Sequence, residues 1–173
     1  MTCIIGYKTG KSVYVAADSA ATTEEGDIRH IVVEKIFRNG DYLIGYAGSI
    51  RAGQIFLPSR FEPPDSIEKL VEAMITKMGD LGCLVTTEYQ TSASQTLFII
   101  AYKNELYEIL TDFQLNKISE GFTSIGCGAS YAFGAMEVIQ EEDLSPTEKL
   151  KKALAVTAKY NYAVKPPFVV KKY

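Results

Sequence analysis

Met1-Thr2-Cys3-Ile4-Ile5-Gly6-Tyr7, then Lys8-Thr9-Gly10-Lys11, then Ser12-Val13-Tyr14-Val15-Ala16-Ala17-Asp18 is the stretch on which the fold turns. Two short uncharged runs flank a polar, glycine-containing turn, which reads as a β-hairpin over Cys3–Tyr7 and Ser12–Ala17. Neither run alternates apolar with polar residues. A strand that is apolar on both faces must be covered on both faces, so layers are needed above and below this hairpin.

Downstream, Ile31–Phe37 and Tyr42–Ala47 flank Asn39-Gly40, a strong hairpin-turn dipeptide, and predict a second hairpin. A helix is expected to start near Ser49 to Ala52. Ile67, Leu70, Val71, Met74 and Met78 fall on one helical stripe, preceded by Asp65 and Glu68 at capping-box spacing. Thr96–Tyr102 and Glu105–Leu110 flank Lys103-Asn104 as another hairpin, and Leu115–Ile118 and Phe122–Ile125 read as short strands. Tyr131–Ile139 is helical in pattern. Ser145-Pro146-Thr147-Glu148 is a capping box with proline at the first helical position, opening a helix to about Tyr162 before a final strand, Phe168–Lys171. The order of hairpins, helix pair, hairpins, helix pair and strand predicts an α+β four-layer αββα sandwich, two antiparallel sheets between helix pairs. The 173 residues suit one domain spanning 1–173.

Composition narrows the function. Hydrophobic residues make up 47% and charged residues 23%, which is ordinary for a globular chain. A net charge of -3 with interspersed signs gives no reason to expect nucleic acid. No apolar run approaches the ~20 residues of a membrane span, and no signal peptide is visible, so the expected place is the cytoplasm. Cys3, Cys83 and Cys127 are odd in number and unpaired in spacing, which argues against a disulfide framework. His30 is the only histidine and reads as a surface residue beside Arg29, so neither a zinc site nor a histidine-based triad is expected.

Thr2 carries the chemistry. Once Met1 is removed, it presents a hydroxyl and a free α-amine on one residue, a nucleophile with its own base titrating near pH ~8. Asp18 ends an uncharged strand and needs solvent or a partner. Lys35 alternates with Ile31, Val33 and Phe37, so it is expected on their inward face and needs a partner too. The two can supply each other, the ammonium lying beneath the start of the first strand and favouring the deprotonated threonine. A structural ion pair without catalysis explains the same spacing equally well.

Thr2, Asp18, Lys35-Ile36-Phe37, Tyr46-Ala47-Gly48 and Ile125-Gly126-Cys127-Gly128, in this order, resemble the β-type proteasome subunits and the HslV-type peptidases. Both are N-terminal-nucleophile threonine peptidases with the αββα fold. The likeness covers nearly the whole chain, and the short length favours the HslV-type branch. It implies that Thr2 is the nucleophile, Lys35 tunes it, Asp18 orients Lys35, and the Gly48 backbone N–H faces the oxyanion. It further implies that the Thr22 main chain pairs with an extended substrate and that Tyr46 borders the first specificity pocket. The implied setting is a homo-oligomeric ring, hexameric or of stacked hexamers, that degrades unfolded protein or peptide delivered by an ATP-driven unfoldase; no cofactor is implied. Cys127 stands where the family has serine, and either fills that role or is a small buried turn residue. The family's late-helix carboxylate is missing, with Lys159, Tyr160 and Asn161 in its neighbourhood, and Lys165-Pro166-Pro167 alters the stretch that offers oxygens to a cation, so no metal site is carried over. An inactive structural ring subunit and a small-molecule amidase of the same fold are the alternatives. Cys3, which has no free amine, is expected in the core of the first strand.

Overall fold

The computed structural model describes residues 2–10, 12–22, 28–30, 34–86, 91–92, 95–119 and 121–173. Strands β1 (Cys3–Thr9) and β2 (Ser12–Ala17) pair antiparallel with Ile4 opposite Ala17. A small separate ribbon follows, β3 (Ala20–Thr22) against β4 (Ile28–His30), with no counterpart in the sequence reading. β5 (Ile36–Asn39) and β6 (Tyr42–Ala47) form the second hairpin. The expected strand over 31–37 is thus shorter, and residues 31–33 lie outside the described residues.

Two helices come next, α1 (Ile50–Gln54) and α2 (Ile67–Asp80). Ser66, not Asp65, caps α2, its hydroxyl accepting from the Lys69 N–H; this shift by one residue removes Glu68 from the capping-box position. A two-residue pair, β7 (Val85–Thr86) with β8 (Thr91–Ser92), precedes the hairpin of β9 (Leu97–Tyr102) and β10 (Glu105–Ile109). β11 (Leu115–Lys117), β12 (Phe122–Gly126), α3 (Ala129–Ile139), α4 (Pro146–Tyr160) and β13 (Val169–Lys172) complete the chain. At the start of α4 the reciprocal Ser145–Glu148 capping box is present.

The strands form two antiparallel sheets, ordered β12-β1-β2-β13 and β11-β10-β9-β6-β5. Three apolar layers explain why β1 and β2 lack polar alternation. Cys3, Ile5, Tyr7 and Ala16 pack with Ala132, Met136, Leu150 and Leu154 of α3 and α4. Ile4, Val13 and Val15 face the other way, into a layer between the sheets with Ile99 and Leu106. On the far side of the second sheet, Ile44, Phe98 and Ile100 meet Leu70, Met74 and Met78 of α2. The result is the αββα sandwich expected from the sequence. Among the described residues no helix is long and apolar enough to cross a membrane.

Candidate active site

The hairpin register decides what lies beside Thr2. Because Ile4 opposes Ala17, the start of β1 and the end of β2 coincide, and the Asp18 carboxylate meets the Thr2–Cys3 peptide. Asp18 Oδ1 accepts from the Cys3 N–H at 2.9 Å and from Lys35 Nζ at 2.8 Å. Its Oδ2 accepts from the backbone N–H groups of Ala20 at 3.1 Å and Lys165 at 3.4 Å. The ion pair is almost sealed from solvent, the two side chains being 0% and 7% exposed. Lys35 Nζ also donates to the Ala20 carbonyl at 2.5 Å. Burial holds Lys35 below its ordinary pKa, and the adjacent Asp18 carboxylate opposes that shift. Lys35 occupies a bend just before β5, so strand alternation does not govern it; Phe37, two residues on, faces the α2 layer.

The other neighbours of Thr2 arrive on β12 and β6. Cys3 opposes Gly126, so the turn after β12 falls against Thr2, whose carbonyl accepts from the Gly128 N–H and from Cys127 Sγ, each at 3.4 Å. Gly126 has φ +93°, and a Cβ there would stand 2.2 Å from the Thr2 oxygen, so both conformation and space demand glycine. The same absent Cβ would lie 3.1 Å from Ala47, which places the end of β6 at this junction. Gly48 follows with φ +124°, where a Cβ would stand 2.7 Å from the Gln95 carbonyl. The requirement for glycine at 48 is therefore already met inside the fold.

The first two residues differ in character. Thr2 is 6% exposed, whereas Cys3 is fully buried in the core, as expected, and burial pushes its thiol up to about 12. Cys127 is exposed, which corrects its reading as a buried turn residue. Tyr46 is buried between β6 and α1, beside Phe37 and with its ring pressed onto the bare Cα of Gly53. Its hydroxyl is buried and has no hydrogen-bond partner among the described residues, and burial pushes it to about 12. Thr22 lies in β3, two residues beyond the Ala20 carbonyl that Lys35 engages. His30 falls in β4, and its reading as a surface side chain lies outside what is described.

Three features of the site escape sequence reading. The segment after α4 is tied to β2 by Ser19 N–H to the Lys165 carbonyl, 3.1 Å, and by Ser19 Oγ to the Pro167 carbonyl, 2.5 Å. Thr96 Oγ1 accepts from the N–H of Ser49, beside Gly48. Asn161, at the end of α4, bonds the Cys127 turn. The sequence marks it only as one of three residues, with Lys159 and Tyr160, in the neighbourhood of the missing late-helix carboxylate, and assigns it no contact. Among the described residues no group of three or more histidine, cysteine or carboxylate side chains is placed to hold a metal.

No family model matches the chain. It is 27% identical over 160 residues to the ATP-dependent protease subunit HslV of Caldicellulosiruptor saccharolyticus, covering 91% of this chain and 89% of that one. Its structure superposes on that of Thiobacillus denitrificans BPH, also solved in complex with epoxomicin, with TM-score 0.83 and 20% identity over 99% of this chain and 97% of the other. Eukaryotic HslV from Trypanosoma brucei gives TM-score 0.75 at 18% identity, over 98% of each chain. The likeness to HslV-type chains extends over nearly the whole length, and the fold is the proteasome-like one.

Proposed function

We propose that this HslV-like chain is a threonine-type endopeptidase whose nucleophile is Thr2, exposed by removal of Met1. The observation that carries the reading is the sharing of Asp18 Oδ1 by the Cys3 N–H and the Lys35 ammonium, which holds a buried cation next to the Thr2–Cys3 peptide. A lysine has three N–H donors; two go to Asp18 and Ala20, and the proposed role of the third is to serve the Thr2 hydroxyl. A desolvated cation beside the hydroxyl lowers the cost of forming the alkoxide.

Thr2 Oγ1 attacks the scissile carbonyl carbon, and its proton passes to the Thr2 α-amine, directly or through one water. The tetrahedral oxyanion takes the Gly48 backbone N–H, a donor worth on the order of 10²–10³ in rate. Collapse breaks the C–N bond, the departing amine takes the proton, and an ester on Thr2 remains for water to hydrolyse. An extended substrate pairs with the Thr22 main chain, and Tyr46 with α1 borders the pocket for the residue before the cut. Cys127 donates its thiol proton to the Thr2 carbonyl from the turn that carries it.

The proposed setting is a homo-oligomeric ring in the cytoplasm, built from single-domain protomers spanning 1–173, with unfolded protein delivered by an ATP-dependent unfoldase. A relative described as an ATP-dependent protease subunit supports that partner. Hydrolysis of a short fluorogenic peptide by wild type beside Thr2→Ala tests the assignment: loss of activity in the variant is expected, and equal rates would remove it.

A further inference from the structure

Thr2 is held from two sides, and only one of them is the Asp18–Lys35 pair. The other is the Gly126–Gly128 turn, whose contacts to the Thr2 carbonyl are both long, 3.4 Å from Gly128 N and 3.4 Å from Cys127 Sγ. Contacts of that length do not fix a turn by themselves. Strand pairing holds Gly126 opposite Cys3, Gly128 lies close against Cys3, Thr157 and Val164, and Asn161 anchors the residue between them, Cys127, from behind. Asn161 Nδ2 donates to the Cys127 carbonyl at 2.8 Å. Its Oδ1 accepts from the Ala163 N–H at 3.1 Å and takes a longer contact, 3.9 Å, from Cys127 Sγ. A backbone N–H can only donate, so the Ala163 bond settles which end of the amide is oxygen and aims the nitrogen at Cys127.

We infer that Asn161 is a positioning residue for the nucleophile, an uncharged amide clamp that holds the Cys127 turn against Thr2. The inference rests on the peptidase reading and extends it to a residue outside the Thr2–Asp18–Lys35 set. The site needs a group that donates and accepts at once. An amide does both, whereas a carboxylate accepts only and would turn an oxygen toward the Cys127 carbonyl.

Asn161→Asp is nearly isosteric and replaces the donating NH2 with an acceptor, removing the bond to the Cys127 carbonyl; Asn161→Ala removes all three contacts. Both are read by kcat and KM on a short peptide, and by the alkylation rate of Cys127 with iodoacetamide, which needs no turnover. A lost hydrogen bond of ordinary strength predicts a fall in kcat of about 5- to 10-fold in Asn161→Asp, with KM within about twofold of wild type. Faster alkylation of Cys127 is expected in both variants, as the turn is released. A merely structural residue would lower thermal stability and leave kcat per folded protomer and the KM-against-kcat split unmoved. Wild-type kcat in both variants, or a loss confined to KM, overturns the clamp and leaves the peptidase reading standing. Equal hydrolysis by wild type and Thr2→Ala overturns the peptidase reading instead, and unchanged alkylation in the Asn161 variants then overturns the clamp as well.

Discussion

Asp18→Asn is the substitution whose consequence follows most directly from the geometry. Among the described residues, every hydrogen-bond partner of the carboxylate is a donor: Cys3 N–H and Lys35 Nζ on one oxygen, Ala20 and Lys165 N–H on the other. Whichever way an asparagine amide is turned, its NH2 meets two donors, and Lys35 loses its counter-charge while remaining buried. Removing one partner of a buried, hydrogen-bonded ion pair costs about 3–5 kcal/mol. For a chain of this length that corresponds to a fall in Tm of roughly 10 °C, taking 2–4 °C per kcal/mol.

Urea unfolding followed by far-ultraviolet circular dichroism, at one fixed protein concentration because assembly adds to apparent stability, measures the loss. The double variant Asp18→Asn with Lys35→Met is the informative control. With the stranded cation gone, it is expected to be more stable than Asp18→Asn alone, a coupling that independent sites do not show. A loss below about 1 kcal/mol in the single variant, or additive losses in the double, would refute the reasoning that the two charges exist for each other.

Other outcomes follow from single contacts. Tyr46→Phe deletes a buried hydroxyl that has no partner among the described residues, so it should stabilise the fold by up to about 1 kcal/mol in the same urea titration. Gly53→Ala drives a Cβ to 2.3 Å from the Tyr46 ring and should cost about 1–3 kcal/mol, with Tyr46→Ala restoring part of the loss when combined. Lys35 has a folded pKa below its ordinary value, so between the two values the unfolded chain holds a proton that the folded chain does not. Its contribution to stability therefore rises with pH across that window; wild type should gain on Lys35→Met as the pH is raised toward the ordinary lysine value, read in urea midpoints. Thiol titration of native protein should find Cys127 reactive and Cys3 silent, because Cys3 is buried and its thiol is pushed up to about 12; Cys127→Ala should remove the fast phase.

The layers were legible because burial constrains both faces of β1 and β2. A run such as Ile4-Ile5 has no solvent side, and the structure sends Ile4 to the sheet interface and Ile5 to the α3–α4 layer. The Asp18–Lys35 pair was legible for the corresponding electrostatic reason: each charge lay in an apolar context and each could answer the other. The route was less so. Strand alternation would set Lys35 on the face of Phe37, yet the residue sits in a bend outside the strand. Helix capping slipped by one because Ser66 and Asp65 are both good caps, and propensity does not choose between adjacent candidates. Asn161 was only partly legible: the resemblance set it with Lys159 and Tyr160 near the missing carboxylate, without a contact. Its role depends on a turn 34 residues away in sequence, brought close by α3 and α4 packing, and nothing in its own neighbourhood announces that contact.

The most direct measurement is intact mass of the purified chain before and after incubation with a peptide epoxyketone, which requires both the hydroxyl and the free amine of an N-terminal threonine. The account predicts a chain lacking Met1 that gains one inhibitor, and no gain in Thr2→Ala. A chain that keeps Met1 and takes up no inhibitor would contradict it.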